Sequence, residues 1–466
     1  MRRRFSLAGM LLLLVGAGAA AVWWSRRLPD VVVVVVDTLR ADRLGAYGNP
    51  RGLTPYLDAL ATDGGRFARA WSASSWTNPA VASLFTSRYP TEHGVGRYDS
   101  RLPAEEVTLA ERLGEAGYIR LGFTANLRLT EELGFAQGFQ AWFPYVGDGD
   151  KPRVGRLVHD ALALIDELKI ARGPFWRRWV RPPLFLYLQF MEPHGPYLPP
   201  EPWRSRFGTP PPPGATDRSV NDDMIDPSRW SQIDEAALAL LESLYDGEVA
   251  ALDAGLLPLF TGLRERGFLR DGIVVVTADH GEEFREHGFL GHGTSLYDEQ
   301  LRIPLLMQVP RGRAGVVVEE PVSLVDVAPT LLDLLGLAPE PRFEGRSLAP
   351  ALYGHGVGRR DLLAELLPNS PKGDMGRHDA ALVRWPAKIL LDRRRPDGSQ
   401  PVELYDLAND PGEHHDDPAT LRPERNALLA AMQAWRMALG TRMSLHEQGT
   451  VTPEMQERLR ALGYAH

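Results

Sequence analysis

Runs of apolar residues without alternation recur along the chain and predict strands that are buried on both faces. The first is Val31 to Val36, and similar runs cover 183–190, 272–280 and 303–309. Such runs are typical of a mainly parallel sheet that helices cover on both sides. Between them lie segments with apolar residues at helical spacing, such as 54–64. The alternation predicts an α/β fold with a doubly wound parallel or mixed sheet.

The segment 1–27 differs in character from the rest of the chain. Three arginines precede an uncharged stretch from Phe5 to Trp24, and two more arginines follow it. A helix of about twenty residues spans about 30 Å, which matches the hydrocarbon core of a bilayer. The segment is predicted to be an uncleaved membrane anchor or a cleaved signal peptide, with a twin-arginine signal and a buried helix as further alternatives. An anchor would leave an extracytoplasmic domain at the membrane, and a cleaved signal would leave a periplasmic or secreted protein.

The alternation of buried strands and helices ends near residue 358. Beyond it, the stretch 380–407 predicts short antiparallel strands, and a final helical pattern begins at about Arg422. We therefore predict a large domain over 28–358, followed by a small α+β subdomain over 359–466.

The composition excludes several classes of function. The 466 residues carry a net charge of −8, which argues against general nucleic-acid binding. The chain has no cysteine, so disulfides, thiolate metal sites and a cysteine nucleophile are all excluded. Because of the negative net charge, nucleic acid is not expected as a partner. The chain also has only four lysines: Lys151, Lys169, Lys372 and Lys388.

Acidic residues stand at the ends of two predicted buried strands. Asp37 follows the first strand, and Asp279 and His280 follow the strand in 272–280. Because the carboxyl ends of parallel strands meet at one edge of a sheet, these side chains can converge on a cation. Either aspartate alone could instead cap a turn or helix. Together the three residues predict a site for one divalent metal ion, with Mn, Zn, Mg and Ca all open.

Thr77 begins a small-residue segment, TNPAVASLFTSR, that predicts a loop opening into a helix. A threonine at such a position can serve as a helix N-cap or as a nucleophile, and the local sequence does not decide between them. A nearby divalent cation would favour the alkoxide of Thr77. We therefore add Thr77 to the predicted metal ligands, as the candidate nucleophile.

Several segments, taken in order, resemble the sulfatase family of the alkaline phosphatase superfamily. They read VVVDTLRADRLGAYG, TPYLDALATDGGRFARAWS, TNPAVASLFTSRYPTEHGV, FMEPHGPYLPP, YDGEVAALDAGL, VTADHGEEFREHG, GHGTSLYDEQLRIPLL, SLVDVAPTLLDLLGL and ELYDLANDPGE. The resemblance covers roughly residues 30–410 and rests on the order and spacing of the segments. It implies the alkaline phosphatase/sulfatase-like fold, a doubly wound mixed sheet sandwiched by helices with a small C-terminal α+β subdomain.

The chain departs from the family pattern at its catalytic positions. Sulfatases convert a Cys or Ser at the position of Thr77 to formylglycine, and they have an Arg at the position of Val81. The lysine of the family's GKGT segment is His292 here, in GHGT. The family's Lys-x-His pair is missing from GFTANLRL. Because threonine has no known route to the aldehyde, no formylglycine is expected.

Loss of the aldehyde changes the expected chemistry. An aldehyde hydrate can expel sulfate with its second hydroxyl, whereas a modified threonine must be displaced by water or another acceptor. Superfamily relatives that keep Thr turn over phosphothreonine in this way. The resemblance therefore favours a hydrolase or transferase acting on phosphate or phosphonate esters through Thr77. A sulfuric ester hydrolase and an inactive sulfatase-fold binding protein are the alternatives. The expected substrate is an anionic ester, such as one on a cell-envelope glycan or lipid.

The same resemblance adds histidines to the candidate site. His194, in PHGPY, would protonate the leaving group, and His292 would stabilise developing charge in place of the family lysine. His93 is expected to be mainly structural, and a role for His287 is left open. Thr38 stands where sulfatases often have a second ligand Asp.

Overall fold

The computed structural model describes residues 28–97, 99–145, 153–170, 181–367, 379–391 and 402–440. In these residues the strands are β1 (Val31–Val36), β2 (Gly65–Phe67), β3 (Ala70–Trp71), β4 (Ile119–Thr124), β5 (Ala141–Pro144), β6 (Leu184–Phe190), β7 (Ile273–Ala278), β8 (Glu283–Phe284), β9 (Leu290–Gly291), β10 (Arg302–Ile303), β11 (Leu305–Gln308), β12 (Val316–Val318), β13 (Val322–Ser323), β14 (Leu362–Leu366), β15 (Asp379–Arg384), β16 (Ala387–Leu391) and β17 (Val402–Asp406). The α-helices are α1 (Pro55–Asp63), α2 (Thr77–Thr86), α3 (Pro90–His93), α4 (Leu109–Glu115), α5 (Val154–Glu167), α6 (Trp203–Phe207), α7 (Asp217–Ile225), α8 (Glu235–Glu265), α9 (Asp298–Leu301), α10 (Val327–Leu334), α11 (Ala349–Leu352) and α12 (Arg422–Gly440). Short 3₁₀ helices cover Ala41–Arg43, Gly45–Tyr47, Pro227–Gln232 and Leu324–Asp326.

The largest sheet has the strand order β12-β2-β11-β7-β1-β6-β4-β5. Its middle strand, β1, pairs in parallel with β6 on one side and β7 on the other. The parallel pairing continues from β6 to β4 and β5, whereas β11 runs antiparallel to both β7 and β2. The sheet is therefore mixed. The strands predicted in 183–190, 272–280 and 303–309 are confirmed by β6, β7 and β11.

Burial explains why the valine run forms the central strand. Successive side chains of a strand point to opposite faces of the sheet, and all six side chains of β1 are buried. Both faces of the sheet must therefore be covered. Each buried valine contributes about 1.5–3 kcal/mol of transfer free energy, so a polar residue in this strand would be costly. The run can end in Asp37 only where the strand reaches the edge of the sheet.

A separate antiparallel sheet, β14-β15-β16-β17, forms the core of the smaller C-terminal part. The final helix, α12, packs on this sheet through Leu428 and Met432, which share a hydrophobic cluster with Ile389 and Leu404. The predicted antiparallel strands and the helix that begins at Arg422 are confirmed.

A buried charge cluster joins this sheet to the large part of the chain. Lys388, on β16, is fully buried, and its Nζ lies 2.7 Å from both Asp298 Oδ1 and Glu413 Oε1. The indole N–H of Trp71 also donates to Asp298 Oδ1, at 2.9 Å. Burial alone would lower the pKa of Lys388, but the two carboxylates raise it. The charged lysine therefore holds β16 against α9, which begins at Asp298.

The predicted anchor or signal, residues 1–27, lies outside the described residues. Within the described ranges, no helix combines the length and the apolar character that crossing a membrane requires.

Candidate active site

Neighbouring strands of the large sheet end at one edge and carry the polar residues of the site. The strands β4, β6, β1 and β7 lie side by side and run in parallel, so their carboxyl ends meet. Asp37 directly follows β1, and Asp279 and His280 follow β7. These three residues are buried, and each offers a ligand atom within 4.8 Å of the other two. The structure therefore brings together residues that lie more than half the chain apart.

The hydrogen bonding of His280 turns one ring nitrogen toward the carboxylates. Its Nδ1 lies 2.9 Å from the carbonyl oxygen of Gly281, which assigns the ring proton to Nδ1 and a lone pair to Nε2. Nε2 lies 3.7 Å from Asp37 Oδ1 and 3.7 Å from Asp279 Oδ2. A neutral imidazole whose other nitrogen donates to a carbonyl is the form that binds metal ions.

Hydrogen-bond donors surround the carboxylate of Asp279. Oδ1 accepts from the backbone N–H groups of Thr38 and His280, at 3.3 and 2.9 Å, and Oδ2 accepts from Nε2 of Gln189 at 3.1 Å. Burial raises the pKa of Asp279. Buried carboxylates this close together repel each other unless a cation compensates them. Two carboxylates and one imidazole therefore fit a divalent metal ion, although this donor set does not choose among Mn, Zn, Mg and Ca.

Thr77 is the first residue of α2, and its hydroxyl faces the same cluster. The N-cap of α2 is Trp76, and no side chain caps the helix there, so the N-cap interpretation of Thr77 is wrong. Thr77 Oγ1 lies 3.3 Å from His280 Nε2 and 3.4 Å from Asn126 Nδ2. The nitrogen that faces both carboxylates therefore also faces the hydroxyl, as it would if all these atoms shared one cation.

The two predicted catalytic histidines form an aromatic cluster with His280. The ring centroid of His292 lies 4.5 Å from that of His280 and 4.9 Å from that of His194. His194 Nδ1 lies 2.6 Å from the carbonyl oxygen of Gly195, to which it donates, and this turns Nε2 to the opposite side of the ring. The structure therefore places His194 and His292 beside the candidate metal site.

A buried carboxylate orients His292. Glu282 Oε1 lies 2.7 Å from His292 Nδ1, and the hydroxyl of Tyr197 donates to Glu282 Oε2 at 2.8 Å. With Nδ1 engaged by the carboxylate, Nε2 of His292 is directed away from Glu282. A carboxylate–histidine pair of this kind fixes both the ring orientation and the position of its proton.

His93 contacts a different part of the structure. Its Nδ1 accepts from the backbone N–H of Val95 at 3.1 Å, and its Nε2 lies 3.0 Å from Ser83 Oγ. These contacts hold the loop after α3 against α2, in agreement with the structural role that was expected.

His287 also lies in different surroundings. Its ring stacks on Tyr297 with 3.7 Å between centroids, and its Nδ1 lies 3.3 Å from Glu299 Oε2. Its Nε2 lies 3.1 Å from the carbonyl oxygen of Glu413. Burial disfavours the imidazolium, but the hydrogen bond and charge of Glu299 outweigh it and raise the pKa of His287 to about 9. These contacts tie His287 to the C-terminal part of the chain.

Three side chains of the site were not predicted from the sequence. Asn126 donates from Nδ2 to Asp37 Oδ2, and Gln189 and Glu282 make the contacts given above. Asn126 follows β4 and Gln189 lies near the end of β6, so the strand-end rule that indicates Asp37 also points to them. An amide is a poorer metal ligand than a carboxylate, however, and residue type alone gives no reason to select it.

Family models match most of the chain. The model described as Sulfatase matches residues 29–337, and the model described as N-sulphoglucosamine sulphohydrolase, C-terminal, matches residues 285–433. The second match begins within the large part of the chain and extends into α12.

Known proteins match at low identity over much of the chain. Ulvan-active sulfatase of Formosa agariphila is 26% identical over 346 residues, which cover 68% of this chain and 63%, less than two thirds, of that protein. Human arylsulfatase A is 26% identical over 451 residues, 82% of each chain. Among solved structures, phosphonate monoester hydrolase of Agrobacterium radiobacter superposes with a TM-score of 0.69 at 22% identity, over 89% of this chain and 96% of that one. The structural match shows a shared fold.

Proposed function

The chain belongs to the sulfatase family of the alkaline phosphatase superfamily, and from this we propose that it cleaves an anionic ester through a covalent intermediate on Thr77. One observation carries the proposal. Thr77 Oγ1 lies 3.3 Å from Nε2 of His280, the nitrogen that also faces Asp37 and Asp279. A hydroxyl placed among two carboxylates and an imidazole is positioned for activation as a nucleophile.

Each residue of the site has a proposed role. Asp37, Asp279, His280 and Thr77 would hold the divalent cation, which when bound would lower the pKa of the threonine hydroxyl and offset the charge of the ester. Thr77 Oγ1 forms a bond to phosphorus or sulfur as the bond to the leaving oxygen breaks, and His194 gives that oxygen a proton. Water or another hydroxyl then displaces the Thr77 oxygen and returns a proton to His194.

His292 acts on the transferred group in this proposal. Its Nδ1 is engaged by Glu282, so Nε2 is the nitrogen that can donate to a non-bridging oxygen of the ester. A histidine paired with a carboxylate thereby takes the place of the lysine that sulfatases carry in the corresponding segment.

Phosphate or phosphonate esters are the favoured substrates because of the chemistry of Thr77. A phosphate or sulfate ester of threonine has no second hydroxyl on the carbon that bears it, so it cannot expel the transferred group as an aldehyde hydrate can. A phosphorylated threonine is therefore resolved only by attack at phosphorus, a step that other threonine-dependent members of the superfamily perform. A solved structure with this fold is named phosphonate monoester hydrolase, which supports phosphonate esters as candidate substrates.

Sulfate esters are the second candidate, and the named relatives favour them. Ulvan-active sulfatase and arylsulfatase A both match over 68% or more of this chain. Turnover of sulfate would require water to attack sulfur in a sulfated Thr77, because the chain has no cysteine from which an aldehyde could form. If the segment 1–27 directs export, a sulfate or phosphate ester on a cell-envelope glycan or lipid would be an accessible substrate.

The proposal is tested by replacing the nucleophile. We expect Thr77→Ala to lower kcat by about 10³-fold or more on bis-p-nitrophenyl phosphate, p-nitrophenyl phenylphosphonate or p-nitrophenyl sulfate, whichever the wild type cleaves. Thr86→Ala is the matched control, since Thr86 is a buried threonine of the same helix that donates to Ala82 O. Near-normal turnover by Thr77→Ala would refute the proposal.

Phosphoryl and sulfuryl groups have nearly the same mass, so the ester class is identified by which of the three substrates, supplied alone, produces an adduct on the intact protein. Peptide mapping then places that adduct on Thr77. Stoichiometric metal binding by a wild-type protein that cleaves none of the three esters would instead support the alternative of an inactive, binding-only relative.

A further inference from the structure

Asn126 contacts both the proposed nucleophile and a proposed metal ligand. Its Nδ2 donates to Asp37 Oδ2 and lies 3.4 Å from Thr77 Oγ1. Asn126 is 1% exposed and follows β4, two strands away from β1. The amide therefore reaches across the end of β6 to arrive at these two oxygens.

The orientation of this amide is fixed by the backbone around it. Asn126 Oδ1 accepts from the backbone N–H of Arg128 at 2.8 Å, and the backbone N–H of Asn126 donates to Thr124 Oγ1 at 3.1 Å. A carbonyl oxygen that accepts from Arg128 leaves the NH₂ group on the side of Asp37 and Thr77. With one N–H on each acceptor, both donors of the amide are directed at the site.

Gln189 provides a comparison within the same site. Its Nε2 donates to Asp279 Oδ2 at 3.1 Å, and its Oε1 accepts from the hydroxyl of Tyr187. Each proposed ligand aspartate thus accepts one hydrogen bond from a side-chain amide, Asp37 from Asn126 and Asp279 from Gln189. The two amides differ because the NH₂ group of Asn126 also reaches Thr77.

We propose that Asn126 is a catalytic residue that stabilises negative charge on the Thr77 oxygen; this rests on the proposed function of Thr77. In the first half-reaction Thr77 Oγ1 bonds to phosphorus or sulfur, the bond to the leaving oxygen breaks, and His194 protonates that oxygen. In the second, water bonds to phosphorus or sulfur, the bond to Oγ1 breaks, and a proton of the water returns to His194. Oγ1 carries negative charge at the start of the first step and at the end of the second, and the N–H of Asn126 is placed to donate to it in both.

A matched pair of substitutions tests this role. Asn126→Asp and Gln189→Glu each replace the NH₂ group by an oxygen while keeping the size of the side chain and the oxygen that accepts from Arg128 or Tyr187. Binding of Mn²⁺ to each variant is measured first by titration calorimetry, because each substitution removes a donor to a ligand aspartate and also places a carboxylate oxygen beside the predicted metal site. Removal of a donor to a reacting oxygen costs a further factor of about 10²–10³ in kcat.

The deciding measurement is made at saturating Mn²⁺ with the ester that the wild type cleaves. We expect Asn126→Asp to retain a kcat deficit at least about tenfold larger than that of Gln189→Glu, with slower formation and slower breakdown of the Thr77 adduct by intact mass. Thermal melting establishes whether each variant folds, and Asn126→Ser, which also lacks the amide donor, replaces Asn126→Asp if that variant does not.

The outcomes separate this inference from the proposed function. Equal deficits for the two variants at saturating metal would mean that Asn126 acts only through the metal site, and would overturn the inference while Thr77 remains the nucleophile. A wild-type protein that forms no Thr77 adduct with any of the three esters would overturn both.

Discussion

The contact between Glu282 and His292 allows a direct test of how the site orients its second histidine. Glu282 is 1% exposed, and its two oxygens lie 2.7 Å from His292 Nδ1 and 2.8 Å from the hydroxyl of Tyr197. Glu282→Gln keeps the shape of the side chain and an oxygen that can accept from His292, but it removes the charge. Glu282→Leu removes the acceptor as well.

The expected size of each effect follows from this difference. A hydrogen bond to a charged group contributes about 1.5–3 kcal/mol, and a neutral one about 0.5–1.5 kcal/mol. Glu282→Gln therefore weakens the hydrogen bond to His292 by about 1–1.5 kcal/mol. If the transition state loses all of this stabilisation, kcat/KM falls roughly 5–13-fold. The loss for Glu282→Leu is the whole interaction, roughly 10–150-fold.

A double-mutant cycle with His292→Ala shows whether these losses act through the histidine. The assay is kcat/KM on the cleaved p-nitrophenyl ester at saturating metal. In the His292→Ala background, Glu282→Gln should change kcat/KM by less than about twofold, because the ring that it orients is gone. If Glu282→Gln lowers kcat/KM equally in both backgrounds, the carboxylate does not act through His292 and the reasoning is wrong. Tyr197→Phe, which removes the other hydrogen bond of Glu282, should have the smallest effect.

Further predictions concern the metal and the stability of the fold. Asp279→Ala should abolish stoichiometric metal binding in elemental analysis of the dialysed protein; full retention of metal would contradict the assignment. Lys388→Met should lower the free energy of unfolding in urea by about 3–5 kcal/mol, because the carboxylates of Asp298 and Glu413 stay buried without their cation; a loss below about 1 kcal/mol would show that the cluster is not held as ion pairs. The pKa of His287 is raised from 6.5 to about 9, so protonated His287 stabilises the folded state. This contribution to the free energy of unfolding is complete below about pH 6.5 and is lost as the pH rises to about 9. Melting temperatures should therefore fall over this window more steeply in the wild type than in His287→Gln, and parallel curves would refute this.

The fold was predictable from the sequence because burial constrains it strongly. A run such as Val31 to Val36 has no solvent-facing side, and its short length and β-branched residues favour a strand covered on both faces over a buried helix. The antiparallel direction of β11 was not predictable in this way. Its residues, 305–308, are as apolar as those of a parallel strand, and direction depends on how the chain returns to the sheet.

The convergence of residues at the candidate site was predictable only where residue type and strand position coincide. Asp37, Asp279 and His280 are ligand-type residues at strand ends, and both conditions are visible in the sequence. Asn126 satisfies only the second condition, and its role depends on an amide orientation that the backbone N–H of Arg128 sets. Such an orientation is a property of the folded loop, which no local pattern encodes.

The arrangement of charge around Thr77 explains why a neutral, oriented donor such as the amide of Asn126 is important to the proposed reaction. At the position where sulfatases carry an arginine, Val81 is fully buried in the hydrophobic core. The imidazole that replaces the family lysine, His292, is paired with the carboxylate of Glu282 and so adds little net charge. Fixed cations that would stabilise an anionic transition state are thus exchanged for an apolar side chain and an ion pair. In the proposed mechanism, the divalent ion that the ligand set would hold supplies positive potential at Thr77, and donors such as the amide of Asn126 must be aimed accurately because they carry only partial charge.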